Sequence, residues 1–137
     1  MIGRILGLDA GSVRIGAAVS DPSGSYAMPI EVIDASRAVE RITQLVEEYS
    51  ITTVVVGLPL TLRNEMGPQA REVEKFVREL REAVAPLPVM QFDERLTSKE
   101  ADRIITTKKG KAMRDAVAAA IMLEGYLNQQ KRISAAS

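Results

Sequence analysis

The stretch ILGLDAG, residues 5–11, determines how the rest of the chain is interpreted. It is typical of a short apolar strand that ends in the carboxylate of Asp9 and continues at once into a glycine turn. An ionised aspartate in such a run is costly unless a metal ion, a cation or several hydrogen-bond donors neutralise it. Asp9 is therefore the first candidate site residue. The alternative is a turn aspartate that accepts a hydrogen bond from the Gly11 amide.

Two further acidic sites occur far along the chain, the pair Asp93-Glu94 at the end of a predicted strand and Asp115 near the start of the last predicted helix. Ligands gather beyond the carboxyl ends of parallel strands, so we expect these sites to converge on Asp9. Since neighbouring strand residues point to opposite faces, either Asp93 or Glu94 supplies the middle carboxylate, and Asp93 is preferred. The alternatives are an ordinary acidic pair with Arg95 as partner, and a helix N-terminal charge at Asp115.

Composition narrows the possible chemistry further. The 137 residues contain no histidine and no cysteine, which excludes histidine triads, thiol nucleophiles and thiolate zinc sites. Oxygen ligands remain, and they suit Mg²⁺, Mn²⁺ or Ca²⁺. A hydrophobic content of 46% is enough for one domain over residues 1–137, with a frayed tail at 129–137. No apolar run could span a bilayer and there is no secretory signal, so we expect a cytoplasmic protein without membrane contact.

Charge is balanced overall, with 18 basic and 18 acidic residues, but it is unevenly distributed. The segment from Lys99 to Arg114 holds six basic residues against two acidic ones. A basic stretch of this kind fits either a phosphate-binding surface or a solvated helix face. Only five aromatic residues occur, which argues against a platform that stacks single-stranded bases.

Hydrophobic periodicity predicts the element order β-β-β-α-β-α-β-α-α. Two consecutive hairpins, the second with a turn at 21–24, precede a helix capped by Ser36. Pro68 opens the second helix, a capping box at 97–100 opens the third, and the last runs from about Ala112 to Asn128. The predicted fold class is therefore α/β, a mixed five-stranded sheet of three antiparallel strands followed by parallel crossovers, with helices packed on it.

Four segments together resemble the YqgF/RuvX family, bacterial RNase H-like proteins described as Holliday junction resolvases or pre-16S rRNA nucleases. The likeness covers nearly the whole chain, with the motifs in the family's order. The first alone would be weak, because sugar kinases and actin-like ATPases begin similarly. The segments are GLDAGSVRIG at 7–16 with VSD at 19–21, VVGLPL at 55–60 with GPQA at 67–70, DERLT at 93–97, and DAVAA at 115–119 with Leu123 and 126–127.

The resemblance implies an RNase H-like fold and a metal-dependent endonuclease with Mg²⁺ or Mn²⁺ bound. The implied catalytic set is Asp9, Asp93, Glu94 and Asp115, with Asp9, Asp93 and Asp115 as metal ligands. The implied substrate is structured RNA, with the 5′ end of pre-16S rRNA preferred, or branched DNA. We expect the chain to act as a monomer or a homodimer. Candidate contacts to the phosphate backbone are Arg14, Arg95, Lys108, Lys109, Lys111 and Arg114.

Three positions depart from the family pattern, namely Val13 in place of a basic residue, Thr61 in place of Asn, and Met66 in place of Glu. The loop from Thr106 to Met113 is also shorter than in many relatives. These departures concern the grip on substrate, because all three acidic sites are present. One alternative function is a nucleic-acid-binding module without catalysis, but such modules generally lack the acidic set. A second alternative is an actin-like phosphotransferase, which needs a second domain.

Overall fold

The structure of the chain is a computed structural model that describes residues 3–11, 13–58, 68–93 and 113–136. Within these residues the chain forms five strands and three α-helices, and a short 3₁₀ turn at Ala35–Arg37 precedes the first helix. The elements are β1 (Arg4–Ala10), β2 (Arg14–Ser20), β3 (Ala27–Asp34), α1 (Ala38–Glu48), β4 (Ile51–Leu58), α2 (Pro68–Val84), β5 (Val89–Asp93) and α3 (Arg114–Ala136).

The strands form one mixed sheet in the order β3-β2-β1-β4-β5. β1 pairs antiparallel with β2 and parallel with β4, so that Leu8 lies opposite Ala17 on one side and Val56 on the other. β2 and β3 are antiparallel, whereas β4 and β5 are parallel. This arrangement confirms the predicted sheet of antiparallel hairpins followed by parallel crossovers. β1 is its central strand.

The two faces of the sheet pack against different helices. Leu6, Leu8 and Ala10 alternate along β1 into a core that also contains Ile42 and Leu45 of α1, and Val77 and Leu80 of α2. On the other face, Ala18 of β2 packs against Ala119 and Leu123 of α3. The sheet therefore lies between α1 and α2 on one side and α3 on the other. Within the described residues, no helix is long and apolar enough to cross a membrane.

The predicted turn after β2 is present and is held by Asp21. Its Oδ1 accepts hydrogen bonds from the backbone amides of Ser25 and Tyr26, both at 2.8 Å, and its Oδ2 accepts one from the Ser23 hydroxyl. Hydrogen bonds to the charged carboxylate, the one from Ser23 foremost, lower the pKa of Asp21 from 3.8 to about 2. Asp21 is thus a structural turn residue, as the sequence predicts.

Two local predictions are wrong. Ser36 does not cap α1, because it lies inside the 3₁₀ turn, and the N-cap position is Arg37 without a side-chain hydrogen bond. The last helix, predicted to end at about Asn128, continues through Ala136. Residues 129–132 are good helix formers without Gly or Pro, so nothing local ends the helix after its last buried residue, Leu127. Pro68 is the first residue of α2, as predicted, and the predicted helix that starts at 97 lies outside the described residues.

Candidate active site

Asp9 lies near the end of the central strand, between two glycines. Its cross-strand partners are Gly16 on β2 and Gly57 on β4. Residues that pair directly across a sheet share a face, so no side chain flanks the Asp9 carboxylate on either side. Leu8 and Ala10 point into the core with α1 and α2, which places the Asp9 side chain on the α3 face. The result is a surface on the α3 face of the sheet, here called the trough, in which glycines flank the Asp9 carboxylate on both neighbouring strands.

The alternative explanation of Asp9, a turn residue bonded to the Gly11 amide, does not hold in the structure. The Gly11 amide donates its hydrogen bond to the Arg14 carbonyl at 3.0 Å and closes the β1–β2 hairpin without any side chain. No hydrogen bond or ion pair joins the Asp9 carboxylate to another described residue. The half-buried carboxylate therefore has no structural task among these residues.

Asp115 is brought to the same place by the first turn of α3. A Cβ atom added to Gly16 would collide with the carbonyl oxygen of Asp115, so the helix backbone rests directly on the glycine that lies opposite Asp9. The same close approach continues along the helix, where a Cβ on Gly7 would lie 2.9 Å from Cβ of Leu123. Ala119 and Met122 of α3 are buried. The backbone of Asp115 thus lies against the strand residue that pairs with Asp9.

Arg14, predicted to contact nucleic acid, lies beside Asp115. Its Nε is 3.4 Å from Oδ2 of Asp115, and the two side chains are 66% and 35% exposed. Arg114, the first residue of α3, is also exposed. Two of the six predicted phosphate contacts are therefore at or next to the site. The other four, Arg95, Lys108, Lys109 and Lys111, lie outside the described residues.

The middle carboxylate is only partly located. Asp93 is the last residue of β5, and its backbone pairs with Leu58 of β4. This pair is next to the one formed by Gly57 and Phe92. Glu94 lies outside the described residues. Among the side chains that the structure describes, no group of three or more acidic residues lies close enough together to hold a metal ion. The described part of the site thus contributes two carboxylates, Asp9 and Asp115.

The chemistry of these donors fits a hard divalent cation. Carboxylate oxygens are the ligands that Mg²⁺ and Mn²⁺ prefer, and the chain has neither histidine nor cysteine to favour a softer metal. Gly16 and Gly57 place no side chain beside the Asp9 carboxylate on the neighbouring strands. The importance of Gly16 and Gly57 could not be read from the sequence, because it depends on the pairing register. Gly16 could be seen only as a residue that allows tight packing.

A cavity of about 220 Å³ also lies near this end of the sheet, but on the opposite face. Its floor includes Ala10 and Ile15, which belong to the core shared with α1 and α2, and its rim includes Glu72 and Lys75 of α2. The Asp9 carboxylate points away from it. The cavity is therefore separate from the carboxylate trough.

Comparison with known proteins gives the same family as the motifs. Residues 3–129 match the family RuvX, described as Holliday junction resolvase. A protein of Roseiflexus sp. (strain RS-1) is 42% identical, over 94% of this chain and 96% of its own length. A protein of Thermoanaerobacter pseudethanolicus is 40% identical, over 93% of this chain and 98% of its own length. Both carry the name "Putative pre-16S rRNA nuclease".

Among solved structures, RuvC of T. thermophilus in complex with a Holliday junction substrate superposes with a TM-score of 0.60. It shares 16% sequence identity, and the match covers 94% of this chain and 96% of RuvC. At this identity the likeness shows the fold alone, and it confirms the predicted RNase H-like class. The match over nearly the whole chain and the identity of its relatives decide the family: the chain belongs to the RuvX family.

Proposed function

We propose that the chain is a metal-dependent endonuclease that hydrolyses phosphodiester bonds at the trough formed by Asp9 and Asp115. The observation that carries the proposal is the position of Asp9, a carboxylate between two glycines with the first turn of α3 resting on one of them. A binding module without catalysis would not need two carboxylates on neighbouring elements at one end of the sheet. The family membership supports the same reaction class.

The reaction uses residues of four elements. Asp9 on β1 and Asp115 on α3, with one member of the Asp93-Glu94 pair at the end of β5, would hold Mg²⁺ or Mn²⁺. Bound divalent cations supply the charge that activates water and stabilises the leaving oxygen. Rigid strand pairing fixes the direction of the Asp9 carboxylate. Arg14 and Arg114 place positive charge at the rim, where the phosphate backbone would enter.

The identity of the middle carboxylate can be argued from strand alternation. Phe92 packs against Met122 and Tyr126 of α3, so position 92 lies on the face of the trough. If the alternation continues for two residues, position 94 shares that face and position 93 does not. This argument favours Glu94 over Asp93, the member of the pair that the sequence analysis prefers. Asp93→Asn and Glu94→Gln, measured separately for cleavage and for Mn²⁺ binding, decide between them, because only the true ligand loses both.

The preferred substrate is the 5′ region of pre-16S rRNA, in line with the names of the relatives. The description of the family favours a second candidate, a four-way DNA junction. A junction resolvase needs two active sites and hence a dimer, whereas an RNA-trimming enzyme can act as a monomer. Both substrates present irregularly shaped, phosphate-rich surfaces that are recognised by shape.

The deciding experiment offers the purified protein a pre-rRNA 5′ fragment and a four-way junction side by side, with Mg²⁺, with Mn²⁺ and in EDTA. We expect cleavage of the RNA with either metal and none after chelation. Asp9→Asn should be inactive, and Asp21→Asn is its matched control, since it makes the same change in a turn at the far end of β2. Cleavage that survives thorough chelation would exclude the carboxylate mechanism, because the chain has no other group that activates water.

A further inference from the structure

Arg14 combines a fixed backbone with a side chain that is free to reorient. Its carbonyl accepts the hydrogen bond from the Gly11 amide, and the carbonyl of its neighbour Val13 accepts one from the Ala35 amide at 2.9 Å. Its side chain, by contrast, is 66% exposed and is drawn to Asp115 through an ion pair at 3.4 Å. A contact of this length and exposure is weak and easily exchanged.

From this geometry we propose that the Arg14 side chain takes the place of the metal ion as the positive partner of Asp115 while no metal is bound. In the metal-free protein its guanidinium neutralises Asp115, and a divalent cation displaces it. The released guanidinium then becomes available to a phosphate of the bound nucleic acid. The proposal rests on the proposed function, since it takes Asp115 as a metal ligand. It adds that metal binding and nucleic-acid binding are coupled through one side chain.

The physical basis is competition for the same charged oxygens. The guanidinium and the cation both lower the energy of the Asp115 carboxylate, and the two positive charges repel each other within the trough. Displacement of Arg14 costs one weak ion pair, and the guanidinium regains a stronger, charge-assisted partner when a phosphate is present. By linkage, nucleic acid must then raise metal affinity by the same factor as metal raises nucleic-acid affinity.

Arg114 provides a matched control for this role. It is adjacent to Asp115 in the chain and is exposed, but the ion pair recorded for Asp115 among the described residues is made by Arg14. Arg14→Gln and Arg114→Gln both remove one positive charge near the trough. Only the first removes the group that occupies the carboxylate. The difference between the two variants therefore separates direct competition for the Asp115 carboxylate from the general effect of removing a nearby positive charge.

The first measurement is Mn²⁺ binding to the nucleic-acid-free protein, followed by the electron paramagnetic resonance signal of the free ion. We expect Arg14→Gln to bind Mn²⁺ about two- to fivefold more tightly than the wild type, the factor that a weak surface ion pair represents. Arg114→Gln should shift the affinity clearly less. Equal shifts in the two variants would overturn the proposal, because the effect would then be long-range electrostatics alone.

The second measurement is binding of a labelled four-way DNA junction, with and without Ca²⁺ in place of Mg²⁺. Addition of Ca²⁺ should strengthen binding more in the wild type than in Arg14→Gln. Asp115→Asn, which releases Arg14 without metal, should strengthen metal-free binding only while Arg14 is present, as tested in the double variant. An Asp115→Asn gain that is the same without Arg14 would contradict the release step.

The outcome for Asp9→Asn separates failure of this inference from failure of the proposed function. If Asp9→Asn binds Mn²⁺ as well as the wild type does, the carboxylates are not a metal site, and both ideas fail. If Asp9→Asn loses Mn²⁺ while Arg14→Gln behaves like Arg114→Gln, the metal site stands and the role of Arg14 is refuted.

Discussion

Gly16 and Asp115 are in backbone contact: the first turn of α3 rests on the glycine so closely that a single methyl group would not fit between them. The same glycine is the cross-strand partner of Asp9. Because this one residue has no side chain, the helix that carries Asp115 can approach the strand next to Asp9.

Gly16→Ala should damage the site more than the fold. The added Cβ forces α3 away from the sheet, and overpacking of this kind costs about 1–3 kcal/mol. We expect a lower melting temperature and, at a temperature where the variant is folded, strongly reduced cleavage and metal binding. Gly24→Ala is the control, because Gly24 has φ 73° in the distant turn, where an alanine is strained without touching the site. A Gly16→Ala protein that cuts normally would show that the approach of α3 is not needed.

Asp9→Asn should abolish function and stabilise the metal-free protein. Asp9 and Asp115 carry like charges on the same face of the sheet. Among the residues that the structure describes, Asp115 has a cationic partner and Asp9 has none, so removal of the Asp9 charge relieves repulsion. Cleavage should fall by about 100-fold or more, metal binding should weaken, and nucleic-acid binding should stay largely intact. Thermal melts in EDTA beside a nuclease assay test both parts. A destabilised variant that still cuts would end the catalytic assignment of Asp9.

The lysine-rich segment should contribute affinity without sequence preference. Replacement of Lys108, Lys109 and Lys111 by Ala should weaken binding to unrelated sequences alike. It should also lower the slope of log affinity against log salt by about 0.7–0.9 per lost contact. The control removes three exposed basic residues of α2 on the other side of the sheet, Arg71, Lys75 and Arg78. A salt slope that does not change would assign the segment to ordinary solvated surface.

Stability in acid should depend on Asp21. Its pKa is lowered in the folded protein from 3.8 to about 2, so its contribution is fully present above pH 3.8 and is lost as the pH falls towards 2. Asp21→Asn removes this dependence, and the curve of unfolding free energy against pH should be flatter between these values. Denaturant titrations at a series of pH values measure it. Identical curves for variant and wild type would mean that the turn does not hold the charged carboxylate.

The sequence was sufficient to predict most strands and helices but not the contacts between them. The alternation of apolar residues in β1 and the β-branched run of β4 predict buried strands, and Pro68 marks the start of α2 correctly. The predicted helix cap at Ser36 was wrong because serine, a common helix-capping residue, is equally compatible with a 3₁₀ turn. The continuation of α3 past Asn128 depends on the absence of a stop signal, which composition indicates only weakly.

For the candidate site, the sequence predicted Asp9 and Asp115 but not the strand register and the helix contact that determine their relative position. Their convergence depends on register: Asp9 lies opposite Gly16, and Gly16 lies beneath α3. Long-range pairing of this kind leaves no local signal in the chain. The same holds for the ion pair of Arg14 with Asp115, since the two residues are far apart in sequence and only the hairpin and the helix bring them together.

The central position of β1 has a consequence for how the protein fluctuates. The strand is hydrogen-bonded on both sides, to β2 and to β4, and both of its faces are covered by helices. Its amides can exchange with solvent only when the whole sheet opens, so they should be among the slowest to take up deuterium. Among the described elements, we therefore expect the strand that carries Asp9 to deform least. Adjustment to a substrate has to come from side chains at the rim of the trough and not from the strand beneath it.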